Sequence, residues 1–564
     1  MNTSHRTSPF GARVSRRSVV GGGVGAAAGL AGLVTVGCGD DDDGDASPSA
    51  TPASVSPGAS PAASPTVAHK RGGVIKTASL VPAGALSLDP DKSVSVLTKS
   101  LANYVYSRLV RNTNDDWKAP NVTEPDLASK YEVPDPTTYT FTLRDAKWQN
   151  LAPMNGRAVT AEDFVYSYER FMKLNANRAP FEVAVDKLTA LDSKTLQFKL
   201  KAPSAPFLYY LGSYLHLYAL PKELVERDGD LQKAMVGTGP WKLKNYVPSS
   251  VIELERNPDY YEQPKPYADG LQVLLLADSA AVTAALIAGQ IHTLSPVMTG
   301  DLDSVKASIK GANVQSFVPS TLWNMAFDTK KPPFNDVRVR RAVSMVLDRN
   351  AMIKAARDGV GYKHNMPIPT GLYEWWLDPE SKDMGESSKY YAHNVKEAKS
   401  LMEAAGYSDS NRVAVPFHFT TYTRGYPIET QLEMEWLPQI YIDPKPDKQE
   451  TAKWVSTTYV GKFDGAASHG VTVYEPDDYA SIYFDPSNPR FLGADDPDIL
   501  ALVQKQRGAL VREERKAILW ELQRQASDKM WYVPTSAETQ NTVTRPELEG
   551  RVWGSEWTWN VSLA

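Results

Sequence analysis

The residue types that carry chemistry are present in this chain, but they form no recognisable catalytic or metal-binding pattern. The eight histidines are scattered, and no two have the helical spacing of metal ligands. A Gly-x-Ser-x-Gly elbow, a His-Glu-x-x-His motif and a glycine-rich phosphate loop are all missing. His418 and His469 follow predicted strands, and Asp477-Asp478 stands in a polar stretch where solvated carboxylates are expected. The sequence therefore predicts no enzyme, no cofactor and no metal site.

Aromatic residues are the more suggestive group, since the chain holds 27 tyrosines and 13 tryptophans. Their flat faces suit stacking on a ligand in a cleft. The aromatic candidates for ligand contact are Trp323, Trp375, Trp376, Tyr422 and Tyr426. Packing in the core is the alternative for each of them.

The N-terminal segment has the composition of an export signal. Arg16 and Arg17 precede an apolar, glycine- and alanine-rich run, which favours the twin-arginine route. The stretch Thr35–Cys38 resembles a lipobox, in which the cysteine is acylated and becomes the mature N-terminus. An uncleaved anchor helix is the alternative. Both interpretations predict an exported protein tethered to the outer face of the cytoplasmic membrane, in the periplasm or at the cell surface.

The composition changes abruptly at residues 39–68. Four aspartates, Asp40–Asp43, are followed by serine, proline, alanine and threonine, a mixture that cannot bury a core. We expect a disordered tether that reaches about 90 Å when extended. The remaining chain is long enough for two or three lobes, and the net charge of −5 argues against nucleic acid as a partner.

The stretch from Ala128 to Phe171 predicts a strand, a turn and a helix. Apolar and polar residues alternate over Thr138–Leu143, the pattern of a strand with one buried face. Asn155-Gly156 marks a turn, and Thr160 is a candidate helix N-cap. The helix that follows carries one apolar stripe, formed by Phe164, Tyr168 and Phe171.

Other segments carry equally local signals. Asp336 and Asn394 are predicted N-caps, and Arg512 to about Met530 reads as a last long helix before a terminal strand. Two glycines and a proline in Gly237–Leu243 predict a turn that feeds a strand. Tyr104–Arg111 is predicted to be a short helix that runs into a connection.

These elements, in this order, resemble family 5 of the extracytoplasmic solute-binding proteins, which bind peptides, nickel or opines for ABC importers. The resemblance covers about Gly72 to the C-terminus. Besides Ala128–Phe171, the matching stretches are Arg71–Ile75, Leu88–Pro90, Gly237–Leu243, Arg256–Tyr261, Asn324–Thr329 and Pro332–Ala342.

The resemblance implies an α/β, two-lobed periplasmic-binding-protein-like fold of type II, in its large three-subdomain variety, with a hinge and an interlobe ligand cleft. Crossings between the lobes at about Ser320 and Trp531 would form the hinge. The implied organisation is a signal (1–38), the tether (39–68), lobe I (69–113, 235–320 and 531–564), an extra subdomain of lobe I (114–234) and lobe II (321–530).

The resemblance also suggests where a ligand binds. Peptide binders of this family usually hold the peptide amino group with an aspartate shortly before a Pro-containing acidic loop. Thr472 or Val473 stands at that position here, so recognition of a free amine is in doubt, although Glu475 could replace the aspartate. The ligand-binding set implied by the resemblance adds Asn324, His469, Thr472, Tyr474 and Glu475 to the five aromatic residues.

We therefore expect the substrate-binding lipoprotein of an ABC importer. It would capture an oligopeptide or peptide-like solute and deliver it, as a monomer anchored through Cys38, to the permease and its ATPase subunits. A binder of an oligosaccharide or another neutral solute and a ligand sensor are the alternatives, and an anchored hydrolase is a more remote one.

Overall fold

A computed structural model describes residues 69–80, 86–113, 122–420, 426–488, 491–492, 495–550 and 557–563, without the side chains at 426, 451, 452 and 557. The predicted signal, Cys38, the tether and Tyr422 lie outside the described residues. In the part of the chain that the structure describes, no helix has both the length and the apolar character of a membrane span.

The strands of the described residues are β1 (Val74–Leu80), β2 (Val110–Thr113), β3 (Val122–Pro125), β4 (Ala128–Asp135), β5 (Thr138–Leu143), β6 (Val185–Ala190), β7 (Thr195–Leu200), β8 (Trp241–Val247), β9 (Val251–Arg256), β10 (Gly270–Leu276), β11 (Thr293–Met298), β12 (Asn313–Phe317), β13 (Thr321–Phe327), β14 (Gly361–Tyr362), β15 (Val413–Phe419), β16 (Ile442–Lys448), β17 (Ala466–Thr472), β18 (Val533–Pro534), β19 (Ala537–Glu538), β20 (Gln540–Thr544), β21 (Leu548–Glu549) and β22 (Ser562–Leu563).

The α-helices are α1 (Val96–Val105), α2 (Ala161–Leu174), α3 (Ala179–Ala184), α4 (Phe207–Gly212), α5 (Lys222–Asp228), α6 (Ser279–Ile287), α7 (Thr299–Ser308), α8 (Val337–Val346), α9 (Arg349–Ala356), α10 (Val395–Ala404), α11 (Tyr426–Trp436), α12 (Thr451–Ser456), α13 (Pro476–Phe484), α14 (Pro497–Gly508), α15 (Arg512–Lys529) and α16 (Trp557–Asn560). Short 3-10 helices lie at Thr370–Leu372, Lys382–Tyr391, Leu437–Ile440 and Thr458–Val460.

Two mixed sheets form the centres of two α/β lobes. The first has the order β12-β20-β11-β1-β10-β9-β8, and the second has the order β16-β15-β17-β13-β18. A four-stranded antiparallel sheet, β4-β5-β7-β6, is inserted into the sequence of the first lobe. The α/β class predicted from the sequence is confirmed.

The chain passes between the two large sheets twice. One passage leads from β12 to β13, and the other leads from β18 to β20. Val533–Pro534, which we expected in the first lobe, pairs with β13 of the second sheet, so the return passage lies after Trp531. The boundaries of the lobes stay a prediction.

The local capping signals place the helices as expected. The Thr160 backbone N–H donates to the Asp163 carboxylate at 2.9 Å at the start of α2. Asp336 accepts the Arg338 N–H at 2.8 Å, and Asn394 caps α10 in the same way. Each cap satisfies an N–H that would otherwise lack an intrahelical partner.

The predicted helix at Tyr104–Arg111 is wrong. Helix α1 ends at Val105, and β2 begins at Val110. The Gly239 N–H donates to the Val105 carbonyl at 2.8 Å, and a Cβ at Gly237 would collide with that same carbonyl. The glycine-containing turn thus occupies the space into which α1 would extend.

The second sheet has a different helical layer on each face, because alternate residues of a strand point to opposite sides. Met325 and Phe327 of β13 belong to the core beneath α8, α10 and α11, which we call the α11 face. Leu322 and Ala326 belong to the core beneath α13, α14 and α15, which we call the α13 face. These two faces determine what surrounds the candidate site.

Candidate functional site

The second half of β17 is the central feature of the candidate site. Its register with β13 continues to Thr472, whereas its register with β15 ends at Ala467. The Val473 N–H donates to the Ser320 carbonyl at 2.9 Å. Because backbone groups alternate in an antiparallel pair, those of Gly470 and Thr472 face away from β13. No described strand pairs with this side of β17 beyond Ala467, and we call residues 468–472 the free edge of β17. An unpaired edge is a template for an added strand.

Trp323 forms a wall beside this edge. Its ring occupies the space next to the Gly470 Cα, so a side chain at position 470 would collide with the indole. The Arg357 guanidinium carbon lies 6.0 Å from the ring centroid on the α11 face. Trp323 is thus held in place by the protein, with 8% of its surface exposed.

A tyrosine-rich segment of the first lobe faces the end of β17. The Tyr210 hydroxyl donates to Asp478 at 2.9 Å. Tyr214 and Tyr474 lie within hydrogen-bonding reach of each other, and burial raises the pKa of both phenols. Burial also raises the pKa of Tyr209 well above its ordinary value. These contacts join the first and second lobes directly.

A cavity of about 160 Å³ lies beside the bond between Tyr210 and Asp478. His216 contributes to its wall from the first lobe, and Asp477 and Arg507 contribute from the second. The Arg507 Nε donates to Asp477 at 2.7 Å. This volume suits a few water molecules or one small group, and it is too small for a peptide.

The acidic run from Glu475 to Asp478 begins helix α13, so our expectation of solvated carboxylates at 477–478 is wrong. Glu475 is the N-cap, is 3% exposed and forms an ion pair with Arg515. Burial raises the pKa of Glu475 to about 7 against the opposing effect of Arg515. Asp477 is bound by Arg507, and Asp478 accepts the Tyr474 N–H. The cation that Glu475 pairs with is therefore part of the protein.

Three other predicted residues divide between the cleft and the core. Thr472 is exposed, with its hydroxyl 3.0 Å from that of Thr321. His469 is fully buried on the α13 face, where its ring stacks on Tyr459 at a centroid distance of 5.7 Å. Asn324 is also buried and donates to the Tyr483 hydroxyl at 2.8 Å. Of these three, Thr472 alone presents its side chain at the surface.

The predicted tryptophans of the segment after Leu372 lie elsewhere. Trp375 packs against the core of the α13 face, with the guanidinium carbons of Arg512 and Arg515 at 5.1 and 5.3 Å from its ring centroid. Trp376 is half-buried. Tyr426 begins α11, but its side chain lies outside the described residues.

His418 is held by hydrogen bonds within the second lobe. Its Nδ1 lies 2.8 Å from the Asp447 carboxylate, and its Nε2 lies 2.9 Å from the Asp464 carbonyl. In the described part of the chain, no group of three or more histidine, cysteine, aspartate or glutamate residues is arranged to hold a metal ion.

Sequence reasoning missed four residues that the structure places at or beneath the site: Tyr209, Tyr210, Tyr214 and Glu433. The tyrosines had a visible signal, because the stretch from Phe207 to Tyr218 contains four tyrosines directly after a Pro-rich turn. Glu433 had none, since a glutamate in a polar helical sequence is usually exposed.

Comparison with known proteins identifies the family. The family model described as "Bacterial extracellular solute-binding proteins, family 5 Middle" matches residues 122–490. That range is more than half of the chain and contains β13, β17 and the tyrosines Tyr209, Tyr210 and Tyr214. The chain belongs to this family.

Relatives of this family 5 protein cover much of its length. The periplasmic oligopeptide-binding protein OppA of Escherichia coli (strain K12) is 24% identical over 498 residues, which are 82% of this chain and 87% of that protein. The periplasmic murein peptide-binding protein MppA of the same organism is 26% identical over 427 residues, 70% of this chain and 75% of that protein.

Solved structures share the fold of this family 5 protein. DppA from Helicobacter pylori, an ABC transporter-associated periplasmic binding protein in complex with the peptide STSA, has a TM-score of 0.73 and 23% identity, covering 88% of this chain and 98% of that chain. AppA from Bacillus subtilis in complex with a nonapeptide has a TM-score of 0.70 and 18% identity, covering 88% and 100%. The two-lobed binding-protein fold expected from the sequence is confirmed.

Proposed function

We propose that this protein captures an oligopeptide or peptide-like solute outside the cell and delivers it to an ABC permease with ATPase subunits. The peptide would bind in an extended form along the free edge of β17. One observation carries this proposal. The backbone N–H and C=O groups of Gly470 and Thr472 point away from β13, to a side of β17 where no described strand pairs with them. Peptides added to such an edge gain affinity from main-chain hydrogen bonds and selectivity from side-chain pockets.

A proline at Thr472 tests this mode of binding. Thr472→Pro removes one N–H from the free edge, while the ladder with β13 keeps its donors. We expect peptide affinity to fall by about tenfold, the loss of one well-made hydrogen bond. Thr472→Ala is the matched control, because it removes the hydroxyl and keeps the N–H.

The assay is calorimetric titration with a pentapeptide library, combined with small-angle scattering for closure. Ligand-driven compaction requires preferential binding to the closed form. The proposal fails if no peptide binds or compacts the protein, or if Thr472→Pro binds peptides as tightly as Thr472→Ala.

We also propose export by the twin-arginine route and anchoring through an acylated Cys38, with the tether at residues 39–68 holding the body near the membrane. The support is the sequence pattern Arg16-Arg17 followed by Thr35–Cys38. Mass spectrometry of the membrane-bound protein tests it, since acylation adds the mass of the lipid to a mature N-terminus at Cys38.

A further inference from the structure

Helix α11 buries polar side chains against the α11 face of the second sheet. Glu429, Thr430 and Glu433 are each at most 1% exposed. The Thr430 hydroxyl donates to the Ser468 hydroxyl of β17 at 3.1 Å. Neither carboxyl oxygen of Glu433 has a hydrogen bond of normal geometry among the described residues, although Ser468 is close by. Glu433 is therefore a buried acid whose carboxyl group makes no well-formed hydrogen bond among the described residues.

The charges around Glu433 do not balance. Arg357 of α9 lies 2.9 Å from Glu429 and 3.7 Å from Glu538 of β19. Glu429 also accepts a hydrogen bond from the Ser536 hydroxyl. Among the described residues, Arg357 thus pairs with two carboxyl groups, and Glu433 adds a third acid beside Glu429. Burying an unpaired carboxylate is unfavourable. Burial, with Glu429 nearby, raises the pKa of Glu433 well above its ordinary value.

This acid lies beneath the free edge of β17. Ser468 and Gly470 are two residues apart, so their side chains share one face of the strand. The contact of Ser468 with Thr430 identifies this face as the α11 face. An extended peptide paired with the edge points alternate side chains to the same side. A ligand side chain opposite Ser468 or Gly470 would point toward the layer that contains Glu433.

We propose that Glu433 is the counter-ion of a cationic ligand side chain, so that the cleft has a subsite for an amine or a guanidinium. This inference rests on the proposed function, because it requires an extended peptide on the β17 edge. Burial favours the uncharged form of Glu433 when the subsite is empty. A bound cation would displace the Glu433 proton and leave an ion pair in the buried layer.

The test uses two series of alanine pentapeptides that carry either lysine or its uncharged isostere norleucine at each position in turn. At one position we expect the wild-type protein to prefer lysine by about tenfold or more. Glu433→Gln should abolish that preference and leave the affinity of the norleucine peptides unchanged. Glu435→Gln is the matched control, since Glu435 is exposed on the same helix.

A second measurement needs no variant. Titrations in buffers of different ionisation enthalpy should show release of up to one proton per lysine peptide and none per norleucine peptide. Equal affinities of the two series, or a lysine preference that persists in Glu433→Gln, would overturn the subsite alone. Failure of both series to bind would overturn the proposed function and the subsite with it.

Discussion

Arg357→Met is the most informative perturbation of the buried charges beneath the site. The side chains of Arg357 and Glu429 are 3% and 1% exposed. Removal of the arginine leaves Glu429 with no cation partner among the described residues, and it also removes the positive charge near Glu538. Breaking a buried ion pair costs about 3–5 kcal/mol. We expect the free energy of unfolding to fall by about 3 kcal/mol, the lower end of that range. The reason is that the Ser536 hydroxyl still donates to Glu429.

The size of this loss should depend on pH. Burial raises the pKa of Glu429 above its usual value even with Arg357 present, and without the arginine the folded-state pKa rises further. A carboxyl whose folded pKa exceeds its unfolded pKa favours folding at acidic pH, and that stability is lost as the pH rises through the folded pKa. The difference in free energy of unfolding between Arg357→Met and the wild type should therefore narrow from pH 7 to pH 5, by up to about 1.4 kcal/mol per pH unit.

Urea denaturation at pH 5, 6, 7 and 8 measures both effects. Lys92→Met is the control, because Lys92 and Asp230 form an ion pair at 3.0 Å with 42% and 26% of their side chains exposed. Exposed pairs contribute at most about 1 kcal/mol. A loss below 1 kcal/mol for Arg357→Met at pH 7, about the size of the Lys92→Met loss, or an equal loss at pH 5 and pH 7, would refute the reasoning.

Three further predictions concern the anchor at Cys38 and the binding of peptides. Cys38→Ser should release the protein into the soluble fraction with unchanged peptide affinity; an unchanged membrane fraction would show that the apolar run is the anchor. Tyr210→Phe removes a hydrogen bond between the lobes and should weaken peptide affinity by roughly 0.5–1.5 kcal/mol in calorimetry, whereas undiminished affinity would mean that the Asp478 contact does not assist closure. Acetylating a peptide's N-terminus should barely change its affinity, since an amine clamp would lose at least ~2 kcal/mol; such a loss, matched by Glu475→Gln, would identify Glu475 as the amine anchor.

The parts of the fold that the sequence predicted well depend on local physics. The alternation over Thr138–Leu143 produced β5, with Tyr139, Phe141 and Leu143 buried. Asp336 and Asn394 begin α8 and α10, because a side-chain acceptor at the N-cap satisfies free N–H groups wherever the helix lies. Signals of this kind need no knowledge of the tertiary structure.

The candidate site was harder to predict because its contacts are distant in sequence. Glu475 pairs with Arg515, forty residues later, and the Asp477–Asp478 run is buried by contacts with Arg507 and Tyr210. The family resemblance pointed to Glu475, but nothing in the sequence indicated that Arg515 is its partner. The same is true of His469, whose ring packs inside the second lobe.

Glu475 and Glu433 show why a buried acid alone does not identify a ligand contact. Both are almost fully buried, and burial raises the pKa of each carboxyl. Glu475 already pairs with the guanidinium of Arg515, so a ligand cation would have to displace an arginine of the protein itself. Among the described residues, Glu433 has no cation partner, and it lies beneath the strand edge where an extended chain would add. An acid that the fold leaves uncompensated next to an open edge can gain more from an incoming cation than one whose charge the fold has already paired. Selectivity for a charged ligand side chain is therefore expected from the α11 face of β17 and not from the acidic start of α13.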